Sequence, residues 1–144
     1  MVKRSDFHGY PKTLTRQLPL YARVLLQKGI CLQKDQILVI NAPVEASRFA
    51  TLLTEEAYKA GAAQVVFNWY CNGTTRLRYE YETQDKFESV PHWRSEFNLD
   101  HYRKGAAFLS LISADPYAMK GIDRKKIMAW QKAFHQAVKE YSDG

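Results

Sequence analysis

The stretch QILVINAPVEASRFATLLTEEAYKAGAAQVVFNWY, residues 36–70, decides the fold. It opens on Gln36-Ile-Leu-Val-Ile40 and closes on Gln64-Val-Val-Phe-Asn-Trp-Tyr70, two apolar runs that are continuous rather than alternating. Continuous runs belong to strands covered on both faces, as in parallel sheets. Between them Phe49, Leu52, Leu53, Ala57 and Ala60 recur at helical spacing, with Arg48, Glu55, Glu56 and Lys59 off that stripe. Gly61 follows Tyr-Lys-Ala, and a glycine just past a helix supplies a left-handed residue at little steric cost. Strand, helix and strand in this order read as one right-handed βαβ unit.

The same punctuation recurs on either side. Leu-Gln-Lys-Gly29 precedes the first run, and Tyr-Arg-Lys-Gly105 precedes a third, Ala106-Ala-Phe-Leu-Ser-Leu-Ile112. Each glycine is predicted to stop a helix, with Lys or Arg in the last turn complementing the negative dipole end. Leu14, Leu18, Tyr21 and Leu25 form the stripe of the front helix, in which Pro19 is expected either to introduce a kink or to start a second helix. Ile127, Trp130, Phe134, Val138 and Tyr141 form the stripe of the last helix, while residues 74–80 and 93–104 look helical with Pro91 between them. The predicted order is helix, strand, helix, strand, two helices, strand, helix. It implies a single α/β domain over residues 1–144, three-layered, with a small, mainly parallel sheet flanked by helices.

A chain of 144 residues buries roughly 70% of its unfolded surface, enough for one core. With 46% hydrophobic and 25% charged residues it is neither disordered, collagen-like nor a disulfide miniprotein. The net charge of +6 is concentrated at one end: residues 1–34 hold seven basic residues (Lys3, Arg4, Lys12, Arg16, Arg23, Lys28, Lys34) against Asp6, and residues 35–144 are neutral overall. Cys31 and Cys71 are too far apart for a redox or zinc motif and too few for a disulfide framework. The basic N-terminus has no apolar region after it, and no run is long enough to span a bilayer. A cytoplasmic protein with no membrane partner is expected.

In an open parallel sheet, ligands bind beyond the carboxyl ends of the strands. Asn41 and Glu45 follow the first strand, Asn68 and Arg76 the second, and Asp115 the third, so these five are the candidate edge of a cleft. The alternative is that Asn and Asp only shape turns and caps there. The first loop lacks the glycines of GxGxxG, and no GxxxxGK[ST] is present to cradle a triphosphate. His8, His92, His101 and His135 are scattered, without HExxH spacing, and no GxSxG elbow or Cys/His frame occurs, so no catalytic or metal-binding residue is assigned. Arg76-Leu-Arg-Tyr-Glu-Tyr81 interleaves basic and aromatic residues, but Arg76 with Glu80 and Leu77 with Tyr81 are ordinary i,i+4 pairs of an amphipathic helix. Nucleic acid is an unlikely partner, because the chain after residue 34 has no excess positive charge. Arg124-Lys-Lys126 opens the last helix and reads mainly as a solvated face, with a partner as the alternative because positive charge is electrostatically poor there.

Five segments together resemble, in order and spacing, the N-terminal domain of the M29 family of metal-dependent aminopeptidases. They are Val39-Ile-Asn-Ala-Pro-Val-Glu-Ala46, Ala57-Tyr-Lys-Ala-Gly61-Ala, Thr75-Arg-Leu-Arg-Tyr-Glu80, Ala106-Ala-Phe-Leu-Ser-Leu-Ile-Ser-Ala-Asp-Pro116 and Gly121-Ile-Asp. The resemblance covers about residues 17 to 141. It implies a cytoplasmic, dimeric exopeptidase that removes N-terminal residues from peptides with two divalent ions, zinc, cobalt or magnesium. Paired metals polarise a scissile carbonyl and generate a nucleophilic water near neutral pH. The family's metal ligands lie in a C-terminal catalytic domain whose motifs this sequence lacks. The resemblance therefore implies no cofactor in this chain, no activity by it alone, and a cleft-wall role within the intact enzyme. A stand-alone, non-catalytic α/β binding or interaction module is the alternative.

Overall fold

The computed structural model of the protein describes residues 12–111 and 120–139, with side chains of the first helix from residue 18 onward. The elements are α1 (Lys12–Val24), β1 (Ile37–Pro43), α2 (Ser47–Lys59), β2 (Gln64–Tyr70), α3 (Asn72–Tyr81), α4 (His92–Arg103), β3 (Ala107–Ser110) and α5 (Arg124–Ala137). This is the predicted order, and the fold is α/β with a three-stranded parallel sheet. Two of the three glycine stops form as expected. Gly61 (φ +101°) and Gly105 (φ +75°) are left-handed. Their N–H groups reach the carbonyls of Tyr58 and Tyr102, and the next residues, Ala62 and Ala106, reach those of Ala57 and His101. Both are Schellman closures.

The front helix differs from its prediction. α1 runs through Pro19, which neither ends it nor starts a new helix, and continues into a π turn, Leu25–Gly29. Gly29 is not the left-handed residue; Cys31 is, at φ 53°. Widening the last turn to i→i+5 bonding, Ile30 N–H to Leu25 O at 3.0 Å, carries the reversal two residues further along the chain. The buried face is also rotated. Leu18, Ala22 and Leu26 meet the core, whereas Tyr21 turns outward with its ring against Phe49. Ala22 is small enough for α1 to lie close to α2.

The chain divides into two compact units, residues 1–69 with 107–113, and residues 70–106 with 114–144. In the first unit the strand order is β2-β1-β3, and β1 pairs with β3 in parallel with Leu38 opposite Ala107, Ile40 opposite Leu109 and Asn41 opposite Ser110. Successive strand residues point to opposite faces. One face carries Leu38, Ile40 and Ala42, with Val65, Phe67, Ala107 and Leu109, and packs on Ala22 of α1, Leu26 of the π turn, and Ala50, Leu53 and Ala57 of α2. The other face carries Val39, Asn41, Asn68 and Ser110. As the central strand, β1 has Leu38, Val39 and Ile40 wholly buried.

The second unit is built on Tyr79 of α3, Phe87 and Ile122, with Ile127, Ala129 and Trp130 packed around them. Asp123 begins α5 by accepting the N–H of Lys125 at 2.9 Å. That carboxylate compensates the basic run at the helix start, and Lys126 Nζ finds its partner inside the unit, the Tyr79 carbonyl at 2.9 Å. Among the described residues no helix is long and apolar enough to cross a membrane.

Candidate functional site

Asn41 and Asn68 lie within strands, not in the loops that the sequence predicts for them. β1 and β2 extend further than their purely apolar stretches because polar side chains suit a sheet face away from the helical core. The connections that follow are correspondingly short: a 3-10 turn over Val44–Ala46 after β1, and Cys71 alone between β2 and α3. Asn41 and Asn68 meet across the sheet. Asn68 Nδ2 donates to Asn41 Oδ1 at 2.9 Å, and Asn41 Nδ2 donates to Ser110 Oγ at 3.4 Å. Three strands thus contribute one polar row in which each amide donates toward β3. Ser110 is not among the five candidates from the sequence, although its place near the end of the third apolar run matches Asn41 in register.

Glu45 is exposed in the turn after β1 and makes none of the row's hydrogen bonds. Arg76 belongs to α3 in the second unit, where its Nε lies 3.0 Å from Glu80, the expected helical pair. Asp115 lies outside the described residues. Leu77 and Tyr81, expected to form an apolar pair, are 52% and 82% exposed, and the buried aromatic of α3 is Tyr79. Burial pushes the Tyr79 hydroxyl above its ordinary value.

The histidines are dispersed. His92 and His135 are exposed, and His101 has Nδ1 2.6 Å from the carbonyl of Phe97 with its ring against that side chain. A cavity of about 350 Å³ in the second unit is lined by Glu88, Ala129, Lys132, Ala133 and Gln136. It contains a single carboxylate and no histidine or cysteine. Among the described residues no group of three or more His, Cys, Asp or Glu side chains is placed to hold a metal ion.

The row of two amides and a hydroxyl toward the carboxyl ends of the strands can donate and accept hydrogen bonds, and it contains no carboxylate, imidazole or thiol. The chain belongs to the M29 family: the family model of the thermophilic metalloproteases (M29) matches residues 14–144. It is 35% identical over 129 residues to aminopeptidase AmpS of Bacillus subtilis (strain 168), a match covering 90% of this chain and 32% of that protein. To aminopeptidase T of Thermus thermophilus it is 32% identical over 124 residues, covering 86% of this chain and 30% of that protein. The solved structure of wild-type AmpT from Thermus thermophilus matches with a TM-score of 0.77 at 31% identity, over 88% of this chain and 32% of that one. The chain spans about a third of the length of the curated relatives it matches, corresponding to their N-terminal part. The family is one of metalloproteases, but the described residues do not offer a donor set for its metal.

Proposed function

We propose that residues 1–144 form the N-terminal domain of a metal-dependent aminopeptidase that releases N-terminal residues from peptides, with the catalytic machinery in the remaining two-thirds of a relative-length enzyme. The match over residues 14–144 to a metalloprotease family carries this reading. The relatives, aminopeptidases by name, support the reaction class. On this reading zinc, cobalt or magnesium would bind outside the described residues, the intact enzyme would be a cytoplasmic homodimer, and this chain alone would be inactive. Asn41 and Asn68, with Glu45 beyond β1, would supply hydrogen bonds at one wall of the peptide cleft. A peptide backbone presents alternating N–H and C=O groups, and a row of amides can answer both.

The test is the reading frame downstream of Gly144, followed by assay of its product. A continuation encoding Glu, His and Asp donors, whose product releases p-nitroaniline from Leu-p-nitroanilide only with added divalent metal, is the expected result. The 144-residue chain should show no turnover under the same conditions. Metal-dependent turnover by the 144-residue chain, or a longer product without aminopeptidase activity, would overturn the assignment. In the longer enzyme Asn68→Ala should raise KM several-fold with little change in kcat, since a wall contact contributes equally to ground and transition states.

A further inference from the structure

Two arginines and a lysine surround two aromatic rings in the second unit. Arg78 of α3 places its guanidinium carbon 4.7 Å from the centre of the Phe87 ring and 4.3 Å from that of Trp130. Arg94, in the first turn of α4, lies 4.7 Å from Trp93 and 5.9 Å from Trp130, and Lys126 Nζ is 5.9 Å from Phe87. The three cations are not equally satisfied. Arg78 is held by Glu82, at 3.0 and 3.1 Å, and Lys126 by the Tyr79 carbonyl. The Arg94 guanidinium meets two rings, and no carboxylate among the described residues pairs with it.

That arrangement is unfavourable in isolation. A half-buried guanidinium has lost water, shares Trp130 with a second guanidinium, and stands at the positive end of a helix whose first turn has no acidic residue. Burial first, and the Arg78 charge second, push Arg94 below the ordinary guanidinium value. Ring contacts supply no hydrogen-bond acceptor to the guanidinium N–H groups, and a carboxylate can take two of them in parallel hydrogen bonds. Trp93 beside it is 66% exposed, so the site includes an aromatic ring that a partner can reach.

We propose that Arg94, against the rings of Trp93 and Trp130 and with the charge of Arg78 nearby, is a docking point for a carboxylate of an acidic peptide segment on a protein partner. Strings of hydrated, exposed cations suit a phosphate backbone better than one half-desolvated fork does.

The fluorescence of Trp93 and Trp130 reports on the site directly, once the third tryptophan of the chain is removed by Trp69→Phe. Titration of that 144-residue variant with an end-blocked hexaglutamate peptide should give a saturable change that weakens with salt. Arg94→Gln should lower the affinity about tenfold or more, the scale of a lost charge-assisted hydrogen bond. Arg94→Lys, which keeps the charge and spares the fold, should also weaken binding, while Arg48→Gln in the first unit should not. No saturable change, equal weakening by Arg48→Gln, or full affinity in Arg94→Lys would each overturn the proposal. So would saturation by inorganic phosphate with none by the peptide.

Discussion

Glu56 occupies a polar-looking position in the sequence of α2 but is only 4% exposed in the structure. Its carboxylate is retained there because α1 brings Arg23 to it, Nε to Oε2 at 2.8 Å, and Lys59 adds a contact at 3.6 Å from one turn on. The hydrogen bond and charge of Glu56 raise Arg23 above the ordinary guanidinium value. Both cations keep one side in water, so the carboxylate is the desolvated member, and the substitutions are not symmetric. Glu56→Gln keeps shape and an acceptor but loses the charge, and should cost about 1–2 kcal/mol in a urea titration. Arg23→Ala should also destabilise, and the double variant should cost less than the two single changes added together, because the residues share one interaction. Additivity would mean that the pair contributes nothing as a pair. Spacing alone does not reveal this bond, since Arg23 and Glu56 belong to different helices and Glu56 lies off the apolar stripe.

Helix ends are the elements most legible in this sequence, and they fail where backbone geometry departs from the usual closure. After α2 and α4 a glycine alone can take the left-handed position cheaply, so Gly61 and Gly105 mark both stops; after α1 the π turn moves that position to Cys31, for which composition gives no signal. The two glycines should nonetheless respond differently to alanine. At Gly105 an added Cβ meets nothing within 4 Å, so Gly105→Ala should cost only the left-handed strain, about 1–2 kcal/mol. At Gly61 it would stand 3.2 Å from Lys34 Cγ, and Gly61→Ala should cost more; equal shifts in thermal midpoint would refute the contact. The end of α4 carries a further, acid-sensitive element. Asp100 is held below the usual carboxylate value of 3.8, first by its hydrogen bond from Lys104. A depressed carboxylate contributes stability above its unfolded value and loses it as pH falls through the folded one. Asp100→Asn should therefore lower the midpoint at neutral pH, and the difference from the parent chain should shrink as the pH is lowered through the folded Asp100 value. The strands show the same division: their apolar stretches and Asn41 and Asn68 are readable. Their joining into one row with Ser110 depends on register, which no local pattern encodes. The Arg78, Phe87 and Trp130 packing was equally hidden, because it joins α3, the following turn and α5 without a shared period.

The charge of the whole chain shows how far the described residues account for its surface. The excess of +6 lies in residues 1–34, and within that stretch Arg23 is already bound to Glu56. Lys3 and Arg4 lie outside the described residues, as do the side chains of Lys12 and Arg16. The rest of the sequence is neutral, so this excess has no balancing charge elsewhere in the chain. Like charges gathered at one end repel one another, which favours an oppositely charged surface outside these residues. On the proposed reading that surface is acidic and belongs to the catalytic portion or to a second subunit. Changing Lys3, Arg4, Lys12 and Arg16 together to Gln separates the two contexts. In the 144-residue chain the thermal midpoint should hold or rise slightly, because only repulsion is removed. In the relative-length enzyme it should fall, most at low salt, because cross-surface attraction is lost and screening weakens what remains. An unchanged midpoint and oligomeric state in the longer enzyme at low ionic strength would show that the basic end faces only solvent.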